Sequence, residues 1–316
     1  MKFGFNVPVR GPGADQEGMY EIARRAELLN YDYIAVTDHI AVPRNIDSLY
    51  PYTEDGMFPG RAGEYLEPLC LMGYLAGITR RIKLLTSILV IPHRPAILAA
   101  KMISSLDVMS NGRVILGIGA GWMREEFEAI DAPDFNARGR VTDEYLRAFR
   151  KLWTEQNPTF RGEHVNFENL IFEPKPLQRN GPRMWAGGES KAAKRRAATV
   201  ADGWYPVGNN PKFPLDTIER YMVAQDEVRD LSLKADRDPA SLDFAYWAIW
   251  PWTGEAEATP DGSRRLLTGT AEDLISDIRR FEDCGVSSLS IMVLGASLDK
   301  TLDNMDRFAN QIISKI

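Results

Sequence analysis

Asp38 and His39 stand side by side directly after the apolar run Tyr33 to Val36. An imidazole titrates near neutrality and can pass a proton to or from a reacting group, and a neighbouring carboxylate can orient it or hold a cofactor amide. The same pair could instead cap the end of a strand and hydrogen-bond the next loop. A second stretch, RVILGIGAGWMREE at 113–126, runs from apolar residues into Gly117, Gly119 and Gly121. Glycines at a strand end remove side chains, so that another backbone or a ligand can come close, and they also let a strand bend. The dinucleotide pattern GxGxxG is not met, which sets a Rossmann site aside. Thr86-Ser87-Ile88 puts two hydroxyls inside an apolar run. That fits a bulge or a strained peptide pressed on a flat ring, and equally a polar pair satisfied inside the core.

Trp185 to Gly187 reads as a strand entering the turn Gly187-Gly188, after which Ser190 and Lys191 open a helix. The free N–H groups and positive dipole end of such a helix make an anion site. Lys191, Lys194 and Arg195 share one face and add positive charge, so a phosphate is expected there, against the alternative of an ordinary tight turn before a solvated helix. His93, between Pro92 and Pro95, lies in a loop near the site, and His164 is expected at the surface. A Ser-His-Asp elbow, Walker loop, HExxH motif or Cys/His cluster is not found, so hydrolase and metal chemistry lack a nucleophile or ligand set.

These residues need a scaffold, and the periodicity supplies one. Strands are expected near 2–7, 33–37, 82–90, 113–119, 183–187, 203–207, 243–250 and 287–293. Helices are expected near 19–29, 64–79, 95–109, 138–154, 190–201, 214–231, 270–284 and 298–314. Eight strands alternating with eight helices predict a (β/α)8 TIM barrel with insertions on its C-terminal face, a single domain over 1–316. The long connections 40–63, 120–137 and 251–269 all follow strands, whereas Thr79 to Ile82 and Ser110 to Arg113 precede strands and are tight, with Asn111-Gly112 as a helix stop. Residues 160–172 read as an extra hairpin turning at Arg161-Gly162-Glu163.

With 38 basic and 44 acidic residues, interspersed and summing to a net charge of −6, the chain has no basic footprint for nucleic acid. Cys70 and Cys284 fall in apolar helical patterns and read as buried thiols of a reducing compartment. The start MKFGFNVPV has no signal-peptide core and no stretch is long enough for a membrane span, so a cytoplasmic protein is expected.

VTDHI at 36–40, TSILVIPHRP at 86–95, GRVILGIGAGW at 112–122, PKP at 174–176 and WAGGESKAAKRRAATVADGWYP at 185–206 together resemble the luciferase-like monooxygenase family. The similarity spans almost the whole chain. It is greatest to the branch that uses coenzyme F420, a deazaflavin, with the FMN branch as the rival. The resemblance implies a homodimer, a cofactor ring across the barrel mouth and a non-prolyl cis peptide, here Ser87-Ile88, behind the ring. It implies that His39 lies beside the reactive carbon as the catalytic proton partner and that Asp38 is catalytic with it, holding the ring or the histidine. It further implies that Val90, Ala120 and Gly121 contact the cofactor, and that Gly187, Gly188, Ser190 and Lys191 bind its phosphate and side chain. Two departures stand out: the family's sugar-phosphate dehydrogenases carry a glutamate where Trp122 stands, and a tryptophan where Pro43 stands. A sugar phosphate is thereby disfavoured. Trp122 and the aromatic strand Phe244, Tyr246, Trp247, Trp250 and Trp252 instead predict an apolar or aromatic substrate pocket, with Trp122 and Trp250 in it. The implied activity is hydride transfer between F420 and a small organic substrate. The alternatives are an FMN-dependent monooxygenase using O2 and a separate reductase, and a barrel that binds a ligand without turnover.

Overall fold

The computed structural model describes residues 1–60 and 63–316, so residues 61 and 62 of the long connection 40–63 lie outside the described residues. The chain alternates β1 (Lys2–Asn6), α1 (Gln16–Leu28), β2 (Tyr33–Val36), α2 (Pro68–Ile78), β3 (Lys83–Val90), α3 (Ala96–Met109) and β4 (Val114–Gly119). After β4 come a six-residue helix, α4 (Arg124–Ala129), and α5 (Arg138–Thr154), then a small hairpin of β5 (Phe160–Arg161) and β6 (Asn166–Phe167). The remainder is β7 (Arg183–Gly187), α6 (Lys191–Thr199), β8 (Gly203–Tyr205), α7 (Ile218–Leu233), β9 (Asp243–Pro251), α8 (Ala271–Asp283), β10 (Ser288–Met292) and α9 (Leu298–Gln311). Among the described residues β1, β2, β3, β4, β7, β8, β9 and β10 pair in parallel in that order and close on β1. The fold is therefore a (β/α)8 barrel.

Local chemistry sets the boundaries. Asp15 accepts the N–H of Gly18 and starts α1, whose Met19, Ile22, Ala23 and Ala26 fall on one buried face. Glu67 caps α2, and Pro68 takes its first position, where no N–H is needed. Asn111 and Gly112 end α3 with positive φ values of 58° and 75°, as expected of a helix stop. The helix α4 was not legible in the connection 120–137. The hairpin turn runs from Gly162 to Val165 and is held to α5 by Glu144, whose carboxylate accepts the N–H groups of Glu163, His164 and Val165. His164, expected at the surface, is consequently half-buried. Cys70 and Cys284, expected to be buried, are exposed and half-buried: α2 is apolar nearly all round, so its pattern does not tell which face is covered.

Inside the barrel, Tyr33, Ala35, Leu85, Ile115, Trp185, Tyr205 and Ala245 form a core of their own, with Ile88 and Trp247 above them. A hydroxyl network threads it. Tyr205 Oη lies 2.6 Å from Ser290 Oγ and 3.2 Å from Ser87 Oγ, and Tyr33 Oη lies 3.0 Å from Ser290 Oγ. Thr86 Oγ1 donates to the Gly117 carbonyl at 2.7 Å. Both hydroxyls of the Thr86-Ser87 pair are thus satisfied within the barrel, as buried polar groups must be.

Candidate functional site

A cavity of about 560 Å³ opens where the strands end, lined from the connections after β2, β3, β4, β7 and β8. Its floor carries Ser87, Ile88, Val90 and Trp247. The Ser87–Ile88 peptide is cis, and the pairing of β3 with β4 shifts register between Thr86 and Leu89. The glycines explain how Ile88 reaches the floor. A Cβ on Gly119 would lie 3.0 Å from Ile88 Cγ2, and one on Gly187 only 2.5 Å from Ile88 Cδ1. The room that these two glycines leave is therefore filled by Ile88, which then faces the cavity. Gly121, at φ +86°, makes room for Phe127 of α4, which a Cβ would meet at 2.6 Å.

Phe127 anchors α4 so that Glu126 points back to the end of β2. Glu126 Oε2 lies 2.8 Å from His39 Nδ1, and Oε1 accepts the N–H groups of Ile40 and Ala41 at 2.7 and 3.1 Å. Burial works against its charge, but His39, the charge of His93 and the Ile40 N–H outweigh it and hold the carboxyl below the usual carboxylate range. An ionised carboxylate only accepts, so Nδ1 of His39 carries a proton towards Glu126, and Nε2 is the ring nitrogen left to meet a ligand.

Asp38 has other partners. Its carboxylate is fully buried, takes a bidentate pair from Arg94 at 2.8 and 3.0 Å, and accepts the Val90 N–H at 2.9 Å. Asp38 lines the cavity, yet the carboxylate that orients His39 is Glu126. The sequence gives little sign of this, because residues 87 positions apart meet only when two barrel loops fold together.

The other end of the cavity holds Gly187, Gly188, Ser190, Arg138 and Arg196. Ser190 caps α6 through the Ala193 N–H. Lys191, expected to contact the cofactor, is exposed and outside the lining, and Lys194 is bound to Glu227. Arg196 is paired with Asp143 at 2.5 Å. Arg138, from the start of α5, donates to the carbonyls of Gly121 and Phe135, and no carboxylate pairs with it among the described residues. Among the described residues it is the cation lining this end that no carboxylate engages, and it was missed because it lies 49 residues before Gly187.

Ala120, Gly121 and Trp122 also line the cavity. Trp122 joins Tyr50 and Phe58, with ring centroids 5.0 and 5.1 Å away, in an aromatic wall beside His39. The wall is pinned by Glu125, which accepts the N–H groups of Asp47 and Ser48, and by Asn209, which donates to the Tyr52 carbonyl. Trp250, expected in the substrate pocket, does not line it. On β9 successive residues face opposite sides, so Ala245 and Trp247 point into the barrel while Tyr246 and Trp250 point to the helices, Trp250 donating to the Leu266 carbonyl. Trp247 takes the place that was assigned to it.

Among the described residues, Trp247 Nε1 and both nitrogens of His93 are buried without partners, although all belong to cavity-lining residues. Buried polar atoms without partners call for a ligand or water. With an apolar floor, an aromatic wall and one cationic end, the site fits a flat heterocycle bearing a phosphate.

A family model described as luciferase-like monooxygenase matches residues 1–258, and the chain belongs to that family. It is 35% identical over 234 residues to the FMNH2-dependent dimethylsulfone monooxygenase of Pseudomonas putida, a match covering 66% of this chain and 63% of that relative, less than two thirds of its length. A monooxygenase from Streptomyces bottropensis shares the fold with a TM-score of 0.77 at 21% identity, over 100% of this chain and 99% of the other. An F420-dependent secondary alcohol dehydrogenase, solved with an F420-acetone adduct, does so with a TM-score of 0.74 at 19% identity, over 99% and 98%.

Proposed function

We propose that this luciferase-like chain is an oxidoreductase that moves a hydride between F420 and a small, largely apolar alcohol or carbonyl compound. The observation that carries the reading is the His39 Nδ1 to Glu126 contact of 2.8 Å, which leaves Nε2 as the ring nitrogen free to exchange a proton with a ligand in the cavity that His39 lines. When bound, the deazaflavin would supply the two-electron donor or acceptor. The chain supplies the rest. His39 Nε2 takes the proton of an alcohol as its carbon gives up hydride, and returns it to a carbonyl oxygen in the reverse direction. Glu126 stabilises the imidazolium so formed and keeps the ring in one tautomer. Ile88 supports the heterocycle from below, Trp122, Tyr50 and Phe58 exclude water, and Arg138 with the Gly187-Gly188 turn and Ser190 holds the phosphate. Asp38 acts through Arg94 and the Val90 N–H to fix the floor.

The second reading is an FMN-dependent monooxygenase, favoured by the 35% identity to a relative with that activity. Fluorescence titration of the purified chain with F420 and, separately, FMN distinguishes the two. Tighter binding of F420 supports hydride transfer, tighter binding of FMN moves the assignment to the monooxygenase, and binding of neither rejects both.

A further inference from the structure

Glu189 is a carboxylate of this cavity that no role so far described uses. It precedes Ser190, lines the cavity and is 2% exposed. Its two oxygens accept from neutral donors, the Val207 N–H at 2.7 Å and Asn210 Nδ2 at 2.8 Å. Among the described residues no cation forms an ion pair with it. The charged or titratable groups that act on it are Lys194 of α6, engaged with Glu227, Tyr52 from the connection after β2, and Tyr246 of β9. A buried carboxylate without a cation is costly in its charged form, and an anion brought into the same cavity raises that cost.

We propose that Glu189 takes up a proton when a phosphate-bearing cofactor binds, so that binding is coupled to protonation of this carboxyl. The inference rests on the phosphate-binding role proposed for the Gly187-Gly188 turn. Burial already pushes the Glu189 carboxyl up to about 7, against the pull of Val207, Asn210 and Lys194. Near neutrality it is therefore poised, and at pH 8 it is mostly ionised until the anion arrives. If the anion raises its midpoint by about one to two pH units, roughly 0.4 to 0.8 proton is taken up per cofactor at pH 8. The affinity then weakens as pH rises above 7.

Isothermal titration calorimetry at pH 8, in two buffers of different ionisation enthalpy, counts those protons directly. The probes are FMN, F420 and riboflavin, which keeps the ring of FMN and lacks its phosphate. Uptake with whichever phosphate-bearing cofactor binds, its absence with riboflavin, and its loss in Glu189→Gln support the proposal. Binding without uptake, or the same uptake in Glu189→Gln, overturns it. Should the variant misfold, the wild-type contrast between FMN and riboflavin, or between F420 and riboflavin, decides alone. If no probe binds, the proposed function fails and this coupling fails with it.

Discussion

His39 Nδ1 and Glu126 Oε2 lie 2.8 Å apart although 87 residues separate them, and the same carboxylate receives the backbone N–H groups of Ile40 and Ala41 through its other oxygen. One side chain thus fixes both the imidazole and the loop that carries it. The carboxylate is buried, the imidazole nearly so, and Nε2 is the atom left to act on a ligand.

His39→Ala removes the proton partner and leaves the floor and the phosphate end unchanged. Turnover of a substrate accepted by the wild type should fall by about 10²- to 10⁴-fold while cofactor affinity changes little. Steady-state rates and a binding titration of both proteins check this, and undiminished turnover in the variant removes His39 from the mechanism.

Glu126→Gln keeps the shape and loses the charge. Because His39 and its neighbours hold this carboxyl below its ordinary range, the folded state binds its proton less tightly than the unfolded chain. Its stabilising contribution is thus complete above the unfolded midpoint, near pH 4.5, and is lost as pH falls through the lower folded value. Melting curves between pH 3 and 7 should show the gap between wild type and variant narrowing toward acid. A gap constant with pH contradicts the assignment.

Arg94→Met strands Asp38, whose carboxylate is fully buried and bidentate to that guanidinium. Breaking such a pair from one side costs about 3–5 kcal/mol. Urea denaturation reads the loss, and a change below about 1 kcal/mol would mean that solvent reaches Asp38.

Arg138→Gln tests the cationic end. Affinity for FMN or F420 should weaken by about 10- to 100-fold, the worth of one charge-assisted contact, with riboflavin affinity unchanged. Equal weakening for riboflavin would place Arg138 against the ring or in the fold instead.

The barrel itself was legible because strand and helix periods alternate along the chain and local signals such as the Asn111-Gly112 stop and the glycines at the end of β4 announce boundaries. The line of contact between loops was not. Glu126 lies on a helix too short to show periodicity, and Arg138 and the Gly187-Gly188 turn share a cavity only after β4 and β7 pair. Trp250 was misplaced through strand parity, since an aromatic-rich strand shows the same composition on both faces and only pairing decides which face looks inward. Lys191 was misplaced because a run of cations at a helix start does not say which of them leans toward the turn and which toward solvent.

A co-crystal of the chain with F420, or with FMN if that binds more tightly, measures the gap between His39 Nε2 and the reactive edge of the ring. The ring is expected over Ile88 and the phosphate near Arg138, with room for only a small substrate, so that Nε2 reaches a group bonded to the reacting carbon within about 3–3.5 Å. A ring bound outside this cavity, or one that leaves His39 separated from the reacting edge by the aromatic wall, contradicts this arrangement.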